Sequence, residues 1–359
     1  MTKKLWFQVG VAILLTLLII RMVIEVQAIF SPLFIVLSTI FIPALLGGVL
    51  FYLMRPLVKF LEKRKVPRWG SISIVLLLLV GAISAFVAVV APPLTKQVNQ
   101  LVENAPVIIR EVENMTAYLL DQRDRLPENM QDSIQEAIGR VNEFAVMGGA
   151  VLINFFQSLF QGIFMLVLVP FFLIYMLKDH ERFAPFVAKF FKGERKTWIR
   201  KTLADIDETL KTYIQGQLLV SFLVGVMLYI GYLIIGLEYS LLLALFGMLT
   251  NVIPFLGPYL AVIPAMVIGF IQDPIMAVWV AIIMLVAQQI ESNLITPNVM
   301  GKSLDIHPLT VITIILSAGS LAGLWGIILA IPTYAVIKAI LSNIYAHRTE
   351  IRDTANKDV

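Results

Sequence analysis

The densest group of polar side chains in the apolar C-terminal third is Gln288-Gln289-Ile290-Glu291-Ser292-Asn293, at the end of a run that opens at Pro274. Side-chain amides both donate and accept hydrogen bonds. At membrane depth such groups are costly unless they are paired or line a wet cavity. Gln288, Gln289, Glu291 and Asn293 are therefore candidates for contact with a solute, with Gln289 and Asn293 on one helical face. The competing reading is a helix end already at the interface, its side chains capping the next loop. Thr250 and Asn251, at a break in the preceding apolar segment, offer a hydroxyl and an amide to a polyol or cap the broken helix. Gln217 either lines the cavity or packs a helix beside Gly216. Glu291 is the one carboxylate placed for proton or cation coupling. An amide-rich set suits a hydroxylated neutral molecule better than a bare cation, which wants more carboxylates.

Other chemistries find no residues here. The chain has no cysteine, so disulfides, thiolate metal sites and a Cys nucleophile are excluded. His180, His307 and His347 are too scattered for a metal cluster, and no metal or cofactor is expected. His307, beside Pro308, reads as structural rather than as a proton relay, and Arg21 with Glu25 reads as an interfacial i,i+4 pair. Without a phosphate-binding P-loop the chain does not drive transport by hydrolysing ATP. Without a nucleophile–base pair, a His pair or an Asp pair at depth it is not expected to be an intramembrane protease or any other enzyme.

The elements that must carry these residues follow from composition. Of 359 residues 59% are hydrophobic and 14% charged, with a mean hydropathy of +0.87. The apolar residues fall in blocks matching the roughly 30 Å hydrocarbon core of a bilayer. Spans are expected at 5–27, 30–54, 70–90, 149–177 and 213–235. Lys3-Lys4 before an apolar run resembles a signal peptide, but the further apolar segments that come at once favour a first span. Residues 55–69 carry six basic side chains against the single acid Glu62, which marks a cytoplasmic loop. After Ala91-Pro92-Pro93 the segment 94–147 turns polar, with nine acids and five bases. It predicts extracytoplasmic helices at 95–125 and 128–146, either a passive cap or a gating element. Residues 178–211 read as cytoplasmic amphipathic helices, whose stripe of Phe183, Phe186, Val187, Phe190 and Phe191 beside Lys189 and Lys192 suits the headgroup level.

The region after residue 235 is different. Residues 239–271 number 33, about 50 Å as one helix, and are interrupted by Asn251-Val252-Ile253-Pro254-Phe255-Leu256-Gly257-Pro258. Proline removes a donor from the helical ladder and glycine frees the backbone to turn, so two short arms predict a re-entrant hairpin. Residues 308–341 repeat the theme, with a break around Gly319, Gly323 and Gly326. After the breaks Leu260-Ala261-Val262-Ile263-Pro264 aligns with Leu329-Ala330-Ile331-Pro332, each a few residues past a glycine. An inside N-terminus makes the two span-plus-hairpin repeats inverted, an arrangement secondary transporters use to build a midplane site. That topology leaves both termini, and 22 of the 28 Lys and Arg residues, cytoplasmic.

Several passages resemble one family. They are Tyr52-Leu53-Met54-Arg55-Pro56-Leu57-Val58, Leu177-Lys178-Asp179, Tyr213-Ile214-Gln215-Gly216-Gln217, the break at 251–258, and Gln288 to Pro297 continuing through Met300-Gly301-Lys302-Ser303-Leu304 to His307-Pro308. In order and spacing they are similar to the autoinducer-2 exporter family of bacterial membrane proteins, over nearly the whole chain. The resemblance implies transport, of an autoinducer-2-like solute or of sodium or lithium against protons, and a homo-oligomer such as a pentamer. The expected fold is an all-α polytopic plasma-membrane protein of about six full spans and two inverted re-entrant hairpins, eight hydrophobic segments in all. Its expected parts are 1–92, three scaffold spans; 93–147, the extracytoplasmic insertion; 148–212, a span with amphipathic helices; 213–345, the transport domain; and 346–359, a tail. Three functions compete: an exporter of a small polar solute, a sodium–proton antiporter, and a non-transporting membrane scaffold. No nucleic-acid partner is expected, because the positive charge lies in loops beside the spans.

Overall fold

Long apolar runs without turn-forming residues become long helices, and these are longer than the sequence suggests. A computed structural model describes residues 5–121, 168–301 and 306–357. The second insertion helix (128–146), the first part of the fourth span and the stretch Lys302-Ser303-Leu304 lie outside the described residues, as does the side chain of Glu25. Helix α1 covers Leu5–Lys63 and α2 covers Arg68–Asp121. Next come α3 (Val169–Ala188), α4 (Glu194–Ile234), α5 (Ser240–Thr250), α6 (Leu256–Gln272) and α7 (Pro274–Ile290). A π-helical turn, Glu291–Ile295, leads into α8 (Thr296–Met300), and α9 covers Pro308–Lys357. The described residues are helical throughout apart from turns and connections, and five helices are long and apolar enough to cross a membrane. The protein is a multi-pass membrane protein.

Three expected breaks are absent. Residues 5–27 and 30–54 form one helix with no reversal between them. Gln27-Ala28-Ile29-Phe30 contains no glycine or other turn residue to stop it. The six-span count and the cytoplasmic N-terminus lose the support that reversal supplied. Helix α2 runs through Pro92-Pro93, where a span end was expected. Beyond the prolines Leu94, Val98 and Leu101 pack into the core formed by α4 to α8, so tertiary burial carries the helix past two missing donors. Finally, the amphipathic residues 194–211 are continuous with the fifth span in α4, and the expected boundary at 212/213 falls inside that helix. The chain turns before it, at Gly193, whose φ of +59° suits glycine.

Three apolar clusters join the described helices. Phe51, Val58, Ile72, Val75, Leu173 and Leu177 join α1, α2 and α3. A larger cluster joins the end of α2 to α4, α5, α6, α7 and α8, with Val220, Val224, Leu228, Tyr232, Leu242 and Val280 at its centre. Helix α9 packs on α4, with Tyr213 against Val311, Ile315, Ala330 and Ile331.

Both broken segments fold back on themselves. Between α5 and α6 the helix is lost only over 251–255, where Phe255 takes φ +63°, so Gly257 and Pro258 already belong to the first turn of α6. The base of this hairpin is closed by Gln272, whose Nε2 donates to the Gly236 carbonyl at 2.9 Å while its Oε1 accepts from the Glu238 N–H at 2.9 Å. In α9 the helix breaks at Ala322 and Gly323, a narrower kink than expected. The arms then run back together, Gly319 facing Ile327 and Gly326 facing the Ala318 carbonyl. The equivalent contact in the first hairpin is Gly257 on the Thr250 carbonyl. Gly257 and Gly326 each stand three residues before the matching Leu-Ala pair. In both places backbone touches backbone and a side chain has no room.

Candidate functional site

The break after α5 brings Asn251 into the interior, 2% exposed, against α4. The Gln217 side chain on α4 donates from Nε2 to the Asn251 carbonyl at 2.7 Å, so it occupies a backbone acceptor that the broken helix leaves open. Asn251 Nδ2 is itself buried, without a hydrogen-bond partner of good geometry among the described residues. The Asn251 amide faces the Glu291 carboxylate, close enough to act on its charge. Glu291 Oε2 accepts from Gln288 Nε2 at 2.8 Å. Helices α4 and α7 and the hairpin tip thus bring Gln217, Asn251, Gln288 and Glu291 to one place.

The other expected residues go elsewhere. Gln289 and Asn293 are exposed and bond each other, Asn293 Nδ2 donating to Gln289 Oε1 at 2.8 Å. The four candidates in this stretch thus divide into an inward pair and an outward pair, as a helix with 3.6 residues per turn requires. The Thr250 hydroxyl donates to the Phe246 carbonyl at 2.9 Å, so its role is to close the end of α5. His307 accepts from the Leu309 N–H through Nδ1 at 3.2 Å, a cap on α9. The π-helical turn at Glu291–Ile295 has no sequence signal. It inserts an extra residue beside the cluster and rotates the helix beyond it, a distortion that recurs at functional sites.

A second polar centre, unforeseen in the sequence, ties α1 to α4. Asp207 on α4 accepts from Arg55 Nη1 at 2.6 Å and from the Tyr52 hydroxyl at 3.1 Å. Gln215, also on α4, donates to the Tyr52 carbonyl at 2.6 Å. At the opposite end of the bundle Gln97 Oε1 on α2 accepts from the Leu242 N–H at the start of α5, and Asn104 donates to the Tyr239 hydroxyl, both at 2.9 Å. The expected insertion helix thus holds the base of the first hairpin. Its polar residues alone did not show this, because the partners lie 135 or more positions away.

Arg68 on α2 joins α3, donating to Glu181 Oε2 at 2.8 Å, to the Leu177 carbonyl at 3.0 Å and to His180 Nδ1 at 3.1 Å. Burial, and then the charge of Arg55, hold the His180 imidazole below its ordinary range. The Arg68 hydrogen bond holds the Glu181 carboxyl below its own. Both folded groups bind protons less readily than unfolded ones, so their stabilisation is present at high pH. The His180 part is lost as pH falls below about 6.5, the ordinary histidine value, and the Glu181 part lower still, in the carboxylate range. The melting temperature of the purified protein is expected to fall between pH 7.5 and 5.5, and His180→Gln should flatten that fall. An unchanged slope in the variant would assign the pH response to other groups.

Comparison with known proteins shows the family. A family model described as AI-2E family transporter matches residues 11–346. The chain is similar to two Bacillus subtilis proteins whose names propose transport. It is 37% identical to YueF over 356 residues, 92% of this chain and 91% of YueF. It is 30% identical to YrrI over 349 residues, 96% of this chain and 97% of YrrI. PerM of Escherichia coli, whose name proposes a permease, is 28% identical over 316 residues, 85% of this chain and 87% of PerM. With a family match over nearly its whole length, and with helices fit to cross a bilayer, this chain belongs to the AI-2E family of transporters.

Proposed function

We propose that the protein is a secondary transporter or facilitator that exports a small polar organic solute of the autoinducer-2 kind across the bacterial plasma membrane. The observation that carries the reading is the buried Nδ2 of Asn251 at a helix break, which faces the Glu291 carboxylate without a hydrogen bond of good geometry, beside the Gln288–Glu291 pair. A polar group left open in a low-dielectric interior is costly unless a ligand or water completes it, and amides suit a hydroxylated solute. In this proposal 239–271 and 308–341 are re-entrant hairpins of an inverted repeat. The hairpin-bearing part, together with the stretch of α2 packed on it, moves against α1, the first part of α2 and α3, and the basic segments 55–69 and 178–211 and the C-terminal tail face the cytoplasm. A homo-oligomer belongs to the same reading.

Sodium or lithium exchange for protons is the second reading, favoured by the one half-buried carboxylate of the site, Glu291. Proteoliposomes separate the two. Glu291→Gln keeps the shape and removes the charge. For a neutral-solute exporter, efflux of autoinducer-2 should stay within about threefold of the parent, and no sodium-dependent proton flux should appear in either protein. Sodium-dependent proton flux in the parent that vanishes in the variant would replace the first reading with the second. Absence of both activities from the folded parent would leave the scaffold role.

A further inference from the structure

The corner between α3 and α4 carries side chains that neither the site nor the core uses. Phe183, Phe186, Phe190 and Phe191 are 61%, 54%, 69% and 38% exposed. Four large rings open to water within nine residues is an unusual surface for a soluble protein, because each ring favours an apolar environment. Around them Lys189, Lys192, Arg195, Lys196, Arg200 and Lys201 are all exposed, and Glu194 is the only acid between 183 and 201. The nearby acids Asp179 and Glu181 are neutralised by Arg182 at 3.1 Å and by Arg68 at 2.8 Å. The cations and rings also interleave. Lys189 Nζ stands 4.2 Å from the centre of the Phe186 ring and 5.3 Å from that of Phe190, and those two rings meet edge to face.

We infer that this corner docks on anionic phospholipid of the bilayer that the chain itself spans, with the phenylalanines in the acyl boundary and the lysines on the phosphates. Basic side chains beside a membrane-spanning helix are drawn to anionic headgroups, and rings interleaved with lysines are the composition of elements that lie on a membrane surface. Charge of nearly one sign interleaved with exposed rings matches a lipid surface better than a folded protein partner. Phe183 lies six residues past the fully buried Leu177, roughly 9 Å along the axis, and Phe190 lies further. Contact therefore requires this end of α3 to lean towards the bilayer plane, and a depth measurement reads that lean directly.

The natural absence of cysteine allows Phe190→Cys to carry a nitroxide while three rings remain. The labelled full chain is placed in nanodiscs of phosphatidylcholine alone and of phosphatidylcholine with phosphatidylglycerol. Collision with oxygen, which favours lipid, is compared with collision with a water-soluble nickel complex. The expected result is a shift towards oxygen in the anionic discs of at least about threefold. Replacing Lys189, Lys192 and Lys196 together by Glu should abolish it without changing helicity or elution volume. If that variant does not fold, the comparison of the two lipid compositions in the charge-intact chain decides alone. A label as open to nickel in both discs as one at the exposed Glu208 overturns the proposal.

Discussion

Replacing Gly326 by alanine is expected to destabilise the protein by about 3 kcal/mol or more, the upper end of the overpacking range. The added methyl group would fall on the Ala318 carbonyl oxygen, and that oxygen belongs to backbone, which cannot swing aside as a flexible side chain can. To make room the arms of the α9 hairpin must separate, and with them Ile315, Ala330 and Ile331, which hold α9 on α4. Gly257→Ala should act in the same way at the first hairpin, against the Thr250 carbonyl. Gly81→Ala is the control: it lies in α2 with open space at its Cβ position, and there alanine should be neutral or stabilising by up to about 1 kcal/mol. Thermal unfolding in detergent, read by loss of helicity, measures all three. Should Gly326→Ala melt with the control, the close crossing is not a feature of the folded protein.

Asn251→Ala is expected to lower solute efflux by roughly ten- to hundredfold, the equivalent of about 1–3 kcal/mol for a buried hydrogen-bonding group left without its partner. The fold should survive, because the packing around the break rests on the Asn251 backbone, whose carbonyl still accepts from Gln217. Gln289→Ala is the informative contrast. Both amides stood together as candidates in the sequence, but Gln289 is exposed and bonds only outward to Asn293, so efflux should stay within about twofold of the parent. Initial rates in proteoliposomes at matched protein density test the pair. Equal losses from the two variants would move the solute path to the outer face of α7, and parental rates from both would move it away from this end of α7 altogether.

What sequence alone determined is the class of the molecule and the places where its helices fail. Transfer of apolar residues from water to lipid depends on composition and run length, which are local properties, so the membrane character was legible from the hydropathy blocks. The two breaks were legible for a similar reason. Proline and glycine act on their own turn of backbone, and both segments do fold back, at 251–255 and at Ala322–Gly323. Only tertiary structure decided how far each helix continues, because α2 passes Pro92-Pro93 on the strength of contacts with α4 to α8, and because nothing at 28–29 forces α1 to turn. It alone divided the cluster at 288–293, since which of two adjacent glutamines bonds Glu291 depends on helix phase, and the phase beyond them changes at a π-helical turn that no residue announces. The Arg55–Asp207 pair was hidden for the plainest reason. Its partners are 152 positions apart, and a charge pairs with what the fold brings near it, which spacing along the chain does not encode.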